Sequence, residues 1–516
     1  TVGTDHGEES ATIKGTVNIK DLNSETDVAF KGFTVESNEE RSAVDINGLE
    51  DYEGSVSVAN NVIDGEGSAN GVGVNTAGSV DVEGNMIQNV KNGVHLRPVA
   101  TDVEVEDNSI EGAEDSTPNN QWVEGAAIKV VDQSEGVNVQ ADDFTGNTFR
   151  NNDLAFWLEA VDDGSDVKKT EPGSEFVSTL LGNNDFGKAV TVRDDQTEET
   201  GGSEHLAAVF TDIQDAVDMA DEGSRVNVRD GEYVSTDLGE PAVLVDKKVS
   251  LVGSNQPTIS YEPVEISGEP AVKVTADGAS VDGFDIDRIG QSRSSDTKDH
   301  ITQGIRVSGS DVVIRDNDVD GSSLSGLASK GIMVLDDESD DTSGEDVSSV
   351  TVANNEVSGF YVGLSATNGY GGSLSDVNFS YNTVEDNRGH GANVATKGSD
   401  YEDHSPEVVV EENTFSDNNG KTLRVYGANE DAGLEAADAS EVDFNQNSVP
   451  QGSVLENNGA GTLNAEQNYF GSASGPSDGQ IQGDVDYRPW RMNPIDEEGF
   501  DEVITFDDAD SLSAFS

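Results

Sequence analysis

Cysteine is absent from this 516-residue chain, which excludes disulfide staples and thiolate metal centres. Cationic residues are scarce: 29 Lys and Arg stand against 102 Asp and Glu, a formal charge of −73. That balance excludes a binder of the nucleic-acid backbone, which needs a basic surface. With four Met, six scattered His and no Cys, the soft ligands that copper prefers are missing too. No stretch approaches the roughly 18 apolar residues of a membrane span, so no span is expected in this chain. Such acidity sets the compact state against its own repulsion unless salt screens it, so the expected solvent is concentrated brine. A long acidic chain with 34% hydrophobic residues can instead be disordered, and periodicity decides between the two.

One pattern recurs nine times: apolar, any, apolar, any, any, Asn, any, apolar. Its asparagines are Asn61, Asn85, Asn108, Asn317, Asn355, Asn382, Asn413, Asn447 and Asn468, each followed two residues later by Ile, Val or Phe. Asn147 with Phe149 and Asn184 with Phe186 read as degraded copies. Successive asparagines lie 24 and 23 residues apart in the first block and 38, 27, 31, 34 and 21 apart in the second. A constant motif with variable gaps means one structural unit with insertions in its loops. Alternating β-branched residues predict strands, and the shortest gaps hold three short strands with their turns. The fold class predicted is all-β, a right-handed parallel β-helix solenoid. Each Asn is placed at a bend, where it tolerates left-handed geometry and forms a hydrogen-bonded ladder from coil to coil.

Third strands open with glycine at Gly71, Gly93, Gly304 and Gly331, expected to serve a tight turn. Acids such as Asp81, Glu83, Glu104 and Glu106 alternate with the apolar residues and are assigned to the solvent face. Near 211–222 the pattern becomes a short amphipathic helix, with Thr211 and Gln214 as a capping box and Gly223 as its stop. The domains predicted are a first β-helix over 1–199, a second over 203–493 opening on that capping helix, and an acidic tail or linker over 494–516. The first opens directly on strands without a helical cap of its own, so upstream coils are expected to be missing.

The string Ile213-Gln214-Asp215-Ala216-Val217 through Val226-x-Val228-Arg229-Asp230-Gly231-x-Tyr233 resembles the opening of right-handed β-helix proteins of the pectin-lyase-like superfamily. The Asn coils are similar to the repeats of NosD-like and haloarchaeal surface β-helix proteins. Asn468-Tyr469-Phe470-Gly471 through Pro489-Trp490 resembles their closing coil, as does Asn184-Asp185-Phe186-Gly187. The resemblance covers nearly the whole chain and implies the fold. It leaves the activity open, since the superfamily hosts lyases, hydrolases, epimerases, adhesins and phage spikes.

Arg388-Gly389-His390-Gly391 looks like the Gly-His-Gly of polygalacturonases, whose paired aspartates act as acid and base. The companion motifs do not follow: Asn382-Thr383 precedes Val384, Asp336-Asp337 falls in a loop, and Arg-Ile-Lys is absent. No catalytic residue is therefore assigned. Asp316, Asp318 and Asp320 have the opening spacing of a calcium loop, yet Leu327 replaces the closing Glu, and outward solvated positions explain Asp318 and Asp320 as well. They are the candidate ligands for Ca²⁺ or another cation drawn from high salt, with Arg306 and Arg315 nearby. Insertions at 113–125, 291–303, 336–346 and 397–405 offer a recognition edge. Trp122, Trp157, Tyr361, Tyr370 and Tyr401 are candidates for stacking on sugar rings, although inward packing is the commoner role. One N-glycosylation sequon, Asn378-Phe379-Ser380, lies inside a predicted strand.

The leading expectation is a secreted or surface-displayed protein of an extreme halophile, or of the virion of a virus infecting one. It would be a rigid structural, adhesion or assembly component, with a cell-surface glycan or another surface or virion protein as candidate partner and self-association through its ends. The alternatives are a polysaccharide lyase or glycoside hydrolase on the same fold, and a viral spike or filament subunit. An enzyme should show several charged side chains converging on the outward face of consecutive coils.

Overall fold

A computed structural model describes residues 2–3, 11–20, 27–38, 41–48, 54–97, 100, 102–114, 125–132, 140–152, 154–161, 167–168, 174–186, 190–194, 203–204, 208–220, 222–263, 268–291, 302–325, 329–336, 346–369, 372–396, 405–427 and 437–494. The fold is a right-handed parallel β-helix, and the chain divides into two compact units, Thr1–Val228 and Arg229–Ser516. Each coil contributes one strand to each of three parallel sheets. In the first unit, Ser55–Ala59, Val62–Asp64 and Asn70–Asn75 make one such coil. The next coil repeats it in register, pairing Val56 with Val80, Ile63 with Ile87 and Val72 with Val94. Every second residue points inward, so like stacks on like and the core is a set of Val, Ile and Phe columns at or near zero exposure. In the second unit the same stacking joins Ile286, Val319 and Val357, and Ile305, Ile332 and Leu364. The acids go outward as expected: Asp81 stacks on Glu104, and Glu83 on Glu106.

The nine ladder asparagines named from the sequence and Asn147 are buried, none more than 2% exposed, while Asn184, which ends the first ladder, is half-buried. In each step the side-chain oxygen accepts two bonds from the preceding coil, as Asn382 Oδ1 accepts Asn355 N–H and Asn355 Nδ2, both at 3.0 Å. The Nδ2 donates onward to the next Asn and back to a strand carbonyl. Asn147 and Asn184 are full members, because the first ladder runs from Asn61 through Asn85, Asn108 and Asn147 to Asn184. The second runs unbroken from Asn317 to Asn468. One detail corrects the sequence reading: the left-handed residue is the one before the ladder Asn. Asn60, Gly84, Asp107, Asp316, Asn354, Tyr381, Glu412, Gln446 and Gln467 carry φ between 53° and 63°. That residue turns the chain, which frees the Asn to aim its amide along the stack.

The third-strand glycines also have another cause. Gly331 has ordinary φ, but a Cβ there would lie 2.2 Å from Val357 Cγ1 and 2.7 Å from the Gly363 carbonyl. It is close approach of the next coil, not a left-handed turn, that requires glycine. The amphipathic helix spans Ile213–Met219 and is capped by Asp212, whose carboxylate accepts from Gln214 N–H at 2.7 Å and Asp215 N–H at 3.4 Å. Thr211 instead donates its hydroxyl to the Asn152 carbonyl at 2.5 Å, and the helix stops at Ala220, ahead of Gly223. The helix falls within the first unit, where Val190–Asp194 pairs antiparallel with Ser224–Val228. A further helix, Ser174–Asn183, was not anticipated; its Leu180 is buried in the first unit's core.

Candidate functional site

The second sheet of the second unit presents an acidic face. Its strands Thr258–Tyr261, Asp285–Arg288, Asp318–Asp320, Glu356–Ser358 and Thr383–Glu385 stack in register. Inward go Ile259, Ile286, Val319, Val357 and Val384; outward go two columns. One column runs Thr258, Asp285, Asp318, Glu356, Thr383, and the other Ser260, Asp287, Asp320, Ser358, Glu385. A groove of about 510 Å³ lies over these columns, completed by Ser322, Gly359, Asp386 and Arg388.

Electrostatics differentiate these carboxyls. Burial pushes the Asp318 carboxyl up to about 6, with help from Glu356, Asp285, Asp320 and Asp287. Asp287 is raised by burial and then by Asp320, Asp285, Glu232 and Glu262, and Asp285 by burial. Asp320 is fixed by three donors: Ser322 N–H and Ser322 Oγ at 2.7 Å each, and Ser358 Oγ at 3.4 Å. Arg388 is oriented by its Nε bond to the Gly359 carbonyl and its Nη2 bond to Ser329 Oγ, both 3.0 Å, and burial lowers its pKa. A half-buried acid whose pKa is raised toward neutrality, next to a positioned carboxylate, is the arrangement acid–base chemistry uses.

The structure sorts the sequence candidates. Asp318 and Asp320 line this groove, whereas Asp316 sits at the preceding bend with φ 56°, 3.8 Å from Arg315 Nε. The cation-binding trio is thus not brought together, and among the described residues no group of three or more His, Asp or Glu is arranged to hold a metal ion. Arg315 pairs with Asp282 at 2.6 Å, and Arg306 lies buried on the third sheet. From the Arg-Gly-His-Gly string only Arg388 reaches the groove. His390 opens a third-sheet strand, accepts the Lys421 N–H at Nδ1 and packs edge-on against Tyr361. Burial, then Arg424 and Lys421, lower its pKa to about 4. Gly391 is explained by stacking, since a Cβ would lie 2.7 Å from Phe415. Asp336 is buried and accepts the Gly372 N–H at 3.1 Å, while Asp337 lies outside the described residues. Trp122, Tyr370 and Tyr401 also lie outside them, as does most of each insertion. Asn378 of the sequon is half-buried in the strand Leu374–Ser380.

Asp285, Asp287 and Glu356 were missed. Their signal was positional: acids one and three residues after the ladder position, on consecutive coils.

No family model and no curated protein matches the chain. Among solved structures, sacteLam55A from Streptomyces sp. SirexAA-E is similar at 13% identity over 94% of this chain and 92% of that one, with a TM-score of 0.25. A likeness that low leaves the site to be read from its own geometry. Among the described residues no helix is long and apolar enough to cross a membrane.

Proposed function

We propose that the second unit hydrolyses glycosidic bonds in its acidic groove, with Asp318 as general acid and Asp320 as general base. The observation that carries this reading is the Asp318 carboxyl, raised to about 6 among the in-register carboxylates of neighbouring coils. Parallel strands lie about 4.8 Å apart, and same-face neighbours along a strand about 6.6 Å apart. Carboxyl pairs at roughly 6.5–9.5 Å suit inversion and pairs at about 5–5.5 Å suit retention. The pair Asp318–Asp320 lies along one strand, so inversion is assigned. The Asp318 carboxyl protonates the glycosidic oxygen as its bond to the anomeric carbon breaks. Asp320 takes a proton from the water that attacks that carbon from the opposite face.

The test is incubation with a panel of neutral and acidic polysaccharides in molar salt, reading new reducing ends. Turnover should fall by about 10²–10⁴ in Asp318→Asn. No reducing ends from any polymer overturns the proposal, and an unsaturated product would mean elimination instead. Membership in the pectin-lyase-like superfamily with NosD-like repeats belongs to this proposal, as does a location at the surface of an extreme halophile.

A second reading, a non-enzymatic adhesion or assembly component binding a surface glycan or a virion protein, is favoured by the unbroken asparagine ladder of each unit. It predicts no turnover together with retained rigidity.

A further inference from the structure

The groove spans five consecutive coils, from Thr258 through Asp285, Asp318 and Glu356 to Asp386. With coils about 4.8 Å apart, its floor is about 19 Å long. Asp318 and Asp320 stand on the third of the five coils, with two coils to either side. The columns run straight, because each strand pairs in register with the next. Beside Asp320, the turn that follows its strand brings Ser322 into the lining. That turn stacks closely on the next coil: Gly359 has φ 75°, and a Cβ there would lie 2.2 Å from Ser322 N. The narrow, fixed part of the groove is therefore its middle.

The lining narrows what lies in it. Asp285, Asp287, Asp318, Asp320, Glu356 and Asp386 supply six carboxyls, and Arg388, on the last coil, is the one cation among the described lining residues. Ionised carboxyls accept hydrogen bonds and donate none, so the ligand they suit is rich in donors. A uronate would set its carboxylate directly against these columns, a like-charge contact that salt screens poorly at short range. Among the described residues no aromatic ring lines the groove: Trp157 is 4% exposed in the first unit, and Tyr361 packs against His390. Binding therefore comes from hydrogen bonds to hydroxyls rather than from stacking. A pyranose in an extended glycan advances the chain by about one coil, so about four sugars fill the floor. Resting on the hydrolytic reading above, we propose that the groove selects a straight, uncharged glycan of the β-1,4-linked kind and cuts an interior bond. Equatorial 1,4-linkages give such a ribbon, whereas α-1,4-linkages coil. Water adds across the bond over the third coil, leaving a reducing end on one half and a hydroxyl on the other, with Asp285, Asp287 and Glu356 accepting from hydroxyls to either side.

The test is hydrolysis by the whole chain, in molar salt, of the tri-, tetra- and hexasaccharides of β-1,4-linked xylose, mannose and glucose, with the galacturonate series as the acidic comparison and products resolved by size. On the neutral series that is cut, kcat/KM should rise about tenfold from trisaccharide to tetrasaccharide, as one added charge-assisted hydrogen bond implies, and then level off. The hexasaccharide should first yield di- to tetrasaccharides, and hexagalacturonate should react at least about tenfold more slowly. Thr258→Val and Asp386→Asn, at the two ends of the groove, should each lower kcat/KM several-fold on the hexasaccharide and less on the trisaccharide. Single sugars released from an end, rates independent of chain length, galacturonates cut as fast as neutral chains, or end variants without effect overturn this inference while the hydrolytic reading stands. So does cleavage of polysaccharides with none of these neutral oligosaccharides cut. No reducing ends from any polymer overturns the hydrolytic reading itself, and this inference with it.

Discussion

Replacing Asn382 by Ala isolates what the ladder contributes. The side chain accepts from Asn355 N–H and Nδ2, and donates to Asn413 Oδ1 and the Val352 carbonyl, four bonds of 2.9–3.0 Å. At a net of about 1 kcal/mol each, and with a buried Asn355 N–H left unmet, the loss is about 3–5 kcal/mol. That is a large share of the roughly 5–15 kcal/mol of a typical domain. Because a solenoid couples mainly nearest neighbours, the damage should appear first as amide exchange in the coils around residues 355 and 413. The control is Asn354→Gly. Asn354 is exposed, with φ 56°, where glycine is at least as comfortable, so stability should stay within about 1 kcal/mol. Denaturant unfolding at fixed molar salt measures both. If Asn382→Ala costs no more than Asn354→Gly, the ladder is a by-product of coil geometry and the reasoning fails.

Three further outcomes follow from the same structure. Asp318 has a folded pKa raised above its unfolded value, so the folded state binds the extra proton and its stability should fall as pH rises from about 4 to 6. Asp318→Asn should therefore stabilise the second unit at pH 7, by about 1 kcal/mol once screening of this half-exposed group is allowed for, while lowering turnover by about 10²–10⁴; thermal melts across pH check the sign. Gly331→Ala should cost about 1–3 kcal/mol by overpacking against Val357 and the Gly363 backbone, whereas Gly182→Ala, with open space around it in a helix, should be neutral or stabilising in the same denaturation assay. His390→Gln, outside the groove and able to keep an acceptor for Lys421 N–H, should leave any turnover within about twofold, since general acid–base roles contribute far more than that.

The stacked architecture was legible because an inward period of two and a recurrent Asn survive any loop length. Asn447 and Asn468, 21 residues apart, bond in the same way as Asn317 and Asn355, 38 apart. Finer geometry was less visible. Attaching the left-handed turn to the Asn itself was off by one, since Tyr381 and Glu412 occupy that conformation without advertising it by residue type. A second set of buried amides at the next bend went unread. Asn387 bonds Asn418, and Asn152 bonds the Ala113 N–H; both bends repeat at a fixed offset of five from the ladder, after Asp386, Asp417 and Asn151. The helix Ser174–Asn183 had a helical spacing in Phe176, Val177, Leu180 and Leu181 that an all-strand expectation passed over. The groove was hidden by abundance. With acids recurring at outward positions throughout the chain, only the alignment of Asp285, Asp318 and Glu356 across insertions of unequal length distinguishes a site from a solvated face, and that alignment is a property of the stack.

The most direct measurement is the pH dependence of kcat/KM for whichever glycan yields reducing ends in molar salt, on the unaltered chain and on Asp318→Asn. The account predicts an alkaline limb with an apparent pKa near 6 that disappears, together with nearly all activity, in Asp318→Asn. Equal activity of the two proteins, or a limb unchanged by the substitution, would contradict it.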